Sequence, residues 1–177
     1  LLDEMPNDAG FRFPQVSLRE SIYGATSERS RSITHTRAGV AVSAQTEGLL
    51  PISQHALTVY GELTYHDYEG VALEMDERER IACDLGPTSK AMIMRNHGLL
   101  SLGATVGEAF HYMYYLDAAC QIQIDALASG KAQLKILNDA IARKGYEQIH
   151  GPNGSQLHKE WPTLLRMLDR KGEVYCV

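Results

Sequence analysis

Seven histidines occur in the chain, and two of them stand in surroundings where an imidazole could do chemistry. His35 sits in Thr34-His35-Thr36-Arg37-Ala38-Gly39, and His97 in Arg95-Asn96-His97-Gly98-Leu99-Leu100. In each case a short apolar run gives way to a Gly-containing turn, where a strand delivers a side chain to a site. Neutral imidazole is the commonest protein metal ligand, so two histidines far apart in sequence can meet on one metal. Gly98 lets the backbone turn sharply and approach a ligand closely. The competing reading is a hydrogen-bonded structural histidine at 35 and a turn histidine at 97. Two histidines alone are an incomplete ligand set.

The remaining candidates are weaker. His55 follows a loop, His66 ends a Tyr-rich segment and His111 lies on a helix; each reads as a surface or core-satisfied residue. His150 and His158 lie in polar segments and carry no signal. Tyr112, Tyr114 and Tyr115 cluster on one helix, where packing of large amphipathic rings outweighs acid catalysis. No GxxxxGK[ST] loop, GxGxxG fingerprint, CxxC pair or GxSxG elbow occurs, which removes the P-loop, dinucleotide, zinc-ribbon and serine-hydrolase readings.

Several elements must position these residues. Ala38 to Gln45 reads as a short helix with Gly48 as its stop, and Leu49 to Ile52 as a connection. Ala56 to Tyr68 carries Val59, Tyr60, Leu63, Tyr65 and Tyr68, which favours strands. Asp76 to Leu85 reads as a charged surface helix ending at Gly86-Pro87. Ala91 to Met94 is a continuous apolar run suited to a buried strand, and Leu99 to Leu102 resumes as another. Thr105-Val106-Gly107-Glu108 is a capping box that starts a helix to about Ala128. Val106, Ala109, Met113, Leu116, Cys120 and Leu127 lie near one face of it. Helices are also expected over Ala132 to Arg143 and Gln156 to Arg170, with a break or kink at Pro162. Leu18, Ile22 and Tyr23 could form one weak helical face.

Composition narrows the class. The 177 residues suit one domain; 44% are hydrophobic and 22% charged, ordinary for a soluble globular protein. A net charge of −5 argues against a nucleic-acid or anionic-membrane partner. No apolar run reaches the roughly 18 residues that a bilayer span needs. Leu1-Leu2-Asp3-Glu4 lacks the basic start of a signal peptide. Cys83, Cys120 and Cys176 are odd in number and unpaired by spacing, which suggests reduced thiols in a cytoplasm. Strands in the middle and helices at the end suggest an α/β layered domain.

Five stretches carry a resemblance: THTRAGVAVSAQ at 34–45, EGLLPISQHAL at 47–57, YHDYEGVAL at 65–73, RNHGLLSLGATVGEAF at 95–110 and YYLDAACQIQ at 114–123. Together they resemble the class II aldolase/adducin family, most closely its bacterial adducin-like members. The resemblance implies a three-layer α/β/α sandwich around a mainly antiparallel sheet, with the N-terminal strands and phosphate-binding loops of the family missing here. It divides the single domain into a divergent 1–33, a family core at 34–128 and a helical tail at 129–177. It also implies a homo-oligomer, usually a tetramer with sites near subunit interfaces, in the cytoplasm.

Enzymatic family members bind a divalent metal, usually zinc, through a His-x-His pair and a later histidine in an N-H-G context. His35 matches the second of the pair and His97 the later one. The first falls on Ile33, which has no donor atom. The family's glutamate acid/base falls on Gln15, which exchanges no proton; Glu20 is a weak substitute. The implied chemistry is aldol cleavage or epimerisation of a small sugar or hydroxy-carbonyl substrate, with the metal as Lewis acid for an enediolate. The alternative implied by the same resemblance is a non-catalytic, adducin-like interaction domain on the actin cytoskeleton.

Overall fold

The structure, a computed structural model, describes residues 30–70, 75–152 and 157–172. Gln15, Glu20, Cys176 and the helical face of Leu18, Ile22 and Tyr23 lie outside the described residues. The element order is β1 (Ser30–Thr34), α1 (Arg37–Ser43), α2 (Gln54–Val59), β2 (Leu63–His66), α3 (Met75–Leu85), β3 (Ala91–Met94), β4 (Gly98–Gly103), α4 (Val106–Leu127), a 3-10 turn (Lys131–Gln133), α5 (Asp139–His150) and α6 (Leu157–Lys171).

The four strands form one sheet in the order β1-β4-β3-β2. β1 and β3 each run antiparallel to β4, while β2 runs parallel to β3. The sheet is thus mainly antiparallel, as the resemblance implies. β3 and β4 are buried along their whole length, so their apolar side chains serve two cores by simple alternation. Ala91, Ile93 and Leu99 face one side, with Val42 of α1, Val59 of α2, and Tyr112, Met113, Leu116 and Cys120 of α4. Met92, Met94, Leu100 and Leu102 face the other, against Ile81 and Leu85 of α3. Helices on both faces make the expected α/β/α sandwich.

Local signals explain most helix starts. The Thr105 hydroxyl accepts from the Glu108 amide at 3.2 Å. The Glu108 carboxylate accepts from the Ala104 amide at 2.5 Å, one residue before the cap itself, and pairs with Lys90 at 3.1 Å. α4 buries Ala109, Met113, Leu116 and Cys120 as its periodicity indicates, but Val106, the first residue of the helix, is exposed.

Three expectations are corrected. Residues 56–59, expected as strand, belong to the helix Gln54–Val59: the Ser53 hydroxyl accepts from the Ala56 amide and Ala56, Leu57 and Val59 are buried. The cap and the packing against α4 override the β preference of Thr58 and Val59, and the strand begins only at Leu63. The helix expected from Ala132 starts at Asp139, where Asn138 caps it by accepting from the Ile141 amide. No break occurs at Pro162: α6 is continuous from Leu157 to Lys171, and the neighbouring Trp161 packs on Phe110.

Candidate functional site

The carboxyl end of β1 and the turn between β3 and β4 bring His35 and His97 together. In the turn, the His97 amide donates to the Met94 carbonyl at 3.1 Å, and Asn96 takes the left-handed conformation at φ 56°. The sharp turning residue is therefore Asn96, a type that tolerates this region. Gly98 has another duty. It lies beside β1, where an added Cβ would come within 2.4 Å of the Thr34 carbonyl oxygen and 3.2 Å of the His35 ring. The absence of a side chain there lets the two histidine-bearing segments close up.

The imidazoles of His35 and His97 stack with centroids 4.8 Å apart and planes 25° apart. His35 is exposed and His97 half-buried. Burial, and then the neighbouring His35, hold the His97 imidazole below its usual value of 6.5. The threonines flanking His35 fasten it to α4. Thr34 donates to the Met113 sulfur at 3.4 Å, and Thr36 donates to Asp117 while capping α1 at the Gly39 amide. Gln121 donates to the other oxygen of Asp117 at 2.6 Å.

The structure thus joins the two sequence-predicted histidines, but among the described residues no third ligand joins them. Ile33 packs with the apolar cluster beneath α3. Among the described residues no group of three or more His, Cys, Asp or Glu is arranged to hold a metal ion. The residues present do not fit the three-histidine set, since a stable site needs three protein ligands besides its open positions.

The other histidines separate by environment. His111 Nδ1 lies 2.6 Å from Glu160, which also accepts from the Tyr115 hydroxyl at 3.0 Å. His55 packs its ring on Tyr115 at 5.6 Å. His150, without a sequence signal, bonds the Thr58 carbonyl at 2.7 Å and ties α5 to α2. Tyr112 is buried, and desolvation followed by the Glu62 carboxylate pushes its hydroxyl pKa up. Tyr115 is pushed up to about 12 by burial and then by Glu160. These rings act in packing, as expected for the cluster; Tyr114 alone is exposed.

Sequence reasoning missed the buried Gln123 and left open whether His66 is buried. Gln123, fully buried, accepts from the Leu50 amide at 2.6 Å and donates to Gln45 at 2.7 Å and to the Gly48 carbonyl at 2.8 Å. It pins the connection after α1. His66, 5% exposed, holds Asp84 of α3 at 2.7 Å through Nδ1. Its place at the end of a strand paired to the fully buried β3 was the available signal.

Comparison with known proteins follows the same lines. Residues 23–124 match the family profile described as Class II Aldolase and Adducin N-terminal domain. A "Putative aldolase class 2 protein" of Caulobacter vibrioides is 40% identical over 99% of this chain and 68% of its own length. Alpha-adducin of Rattus norvegicus is 40% identical over 94% of this chain, which spans 23% of that protein. The crystal structure of an aldolase II superfamily protein from Pseudomonas syringae superposes with a TM-score of 0.81 at 41% identity, covering 94% of this chain and 67% of that one. A profile match over more than half of the sequence, with the sandwich and the motif order beneath it, leads to one conclusion: the chain belongs to the class II aldolase and adducin family.

Proposed function

We propose that this chain is a lyase-type domain for a small sugar or hydroxy-carbonyl substrate, in which aldol cleavage or epimerisation is impaired at the first ligand position. The observation that carries this reading is the stacked His35–His97 pair with Ile33 turned into the α3 cluster. The pair keeps two imidazoles side by side, just past the end of β1 and in the β3–β4 turn. His97, held below its usual value, is neutral at pH 7 and can accept a hydrogen bond from a substrate hydroxyl. A divalent ion such as zinc would find two protein nitrogens here, which is too few for tight binding. A homo-oligomeric, cytoplasmic protein, tetrameric like other family members, is part of the proposal. So is the absence of a nucleic-acid or membrane partner, for which the net charge of −5 is support.

Metal analysis of the purified chain tests it. The expected result is well under one zinc, manganese or cobalt per chain, unchanged in His97→Ala. Stoichiometric metal that is lost in both His35→Ala and His97→Ala would show a complete site and overturn the reading.

A second reading has its own support in the match to alpha-adducin across 94% of this chain. In it the fold is kept for assembly on the actin cytoskeleton without catalysis. Co-sedimentation with actin filaments that survives His35→Ala would favour this reading; absence of co-sedimentation would remove it.

A further inference from the structure

A cavity whose wall excludes both members of the histidine pair lies between β2 and the outer helix α3. It has a volume of about 500 Å³ and is lined by Tyr65, His66, Asp67, Glu69, Arg80, Cys83, Asp84 and Arg95. Neither His35 nor His97 belongs to its wall. The size falls in the range of small-molecule sites.

His66 gives the cavity its character. An ionised carboxylate only accepts, so the contact between Asp84 and Nδ1 fixes the proton on Nδ1. In the neutral ring Nε2 is then an acceptor, and among the described residues it is buried with no hydrogen-bond partner. Buried polar atoms are rarely left so, and an orphan of this kind asks for a donor from a bound molecule.

The wall narrows the donor's identity. Two arginines face three carboxylates, so the charge is nearly balanced and a strongly charged ligand gains little. Arg80 is paired to Glu69, and Arg95 lies over the Tyr65 ring at 4.4 Å while donating to the Gln45 carbonyl at 2.6 Å. A cation is disfavoured, because no three ligating groups converge among the described residues. Hydroxyls both donate and accept, which matches a wall that mixes guanidinium donors with carboxylate and imidazole acceptors. We propose that this cavity is a second ligand site that takes an uncharged polyhydroxy molecule, one hydroxyl of which donates to His66 Nε2.

The experiment is histidine-detected 15N NMR of the full chain titrated with sorbitol to tens of millimolar. The His66 ring signals should shift saturably while those of His35 and His97 stay in place. Asp84→Asn, which frees the ring to take the other tautomer, should weaken the sorbitol response about tenfold while spectral dispersion shows an intact fold. No saturable shift at His66, equal drift of all histidines, or an undiminished response in Asp84→Asn overturns the proposal. A parallel titration with sodium phosphate that saturates where sorbitol does not would overturn the polyhydroxy assignment in favour of an anion site.

Discussion

Replacing Gly98 by alanine tests the closure that creates the histidine pair. The added Cβ would lie 2.4 Å from the Thr34 carbonyl oxygen, about 0.9 Å inside an ordinary carbon–oxygen contact of roughly 3.3 Å. The obstacle is backbone, so no side-chain rotation relieves it. The carboxyl end of β1 must move outward instead, which weakens the pairing of Thr34 with Leu99. Overpacking of this kind costs about 1–3 kcal/mol, and a weakened ladder bond adds about 1 kcal/mol. For a chain of this length, such a loss lowers the melting temperature by about 5–15 °C. Urea denaturation and calorimetry read the stability. The ring-current shifts that His35 and His97 impose on each other should diminish together with it. A variant within about 0.5 kcal/mol of the parent, with the mutual ring shifts intact, would refute the argument that Gly98 is what admits the two segments.

Three further outcomes follow from other parts of the molecule. Leu116 is fully buried under the sheet, so Leu116→Ala should cost about 2–5 kcal/mol in urea denaturation, and a loss below 1 kcal/mol would contradict the two-core description. Thr105→Ala removes the acceptor for the Glu108 amide and should cost about 1 kcal/mol, with fraying of the first turn of α4 visible in amide exchange. Burial, and then Asp117, push the Cys120 thiol up to about 12 from 9.0. The unfolded chain therefore releases this proton first, and stability is full below about pH 9 and falls as pH rises toward 12. The urea midpoint should drop between pH 8 and 10.5, with a shallower slope in Cys120→Ala; identical slopes would count against it.

Where the residue pattern and the packing agree, the elements were legible in advance. Ala91 to Met94 is apolar at every position because both faces of β3 are covered, and that is readable without coordinates. The Thr105–Glu108 cap is likewise a local event, whereas α1 ends at Ser43 with Ala44 as its cap, and Gly48, with φ 66°, turns the chain four residues later instead of stopping the helix. Residues 56–59 were misread because the β-branched Thr58 and Val59 also suit a strand, and the Ser53 cap together with packing against α4 decides for helix. The late start of α5 was hidden because Asn138 is one cap among several polar residues in that stretch.

For the site, the sequence alone determined which side chains are present: imidazoles at 35 and 97, and an isoleucine where a third ligand is needed. Chemical identity at a position requires no fold. The tertiary structure decided which of seven histidines meet, because a 4.8 Å approach depends on β1 lying against β4 and on Gly98 having no Cβ. It also decided that His66, plain in the sequence, faces Asp84 with its other nitrogen unmatched. Burial and partnership are properties of neighbours distant in the chain, and only the folded sandwich brings those neighbours together.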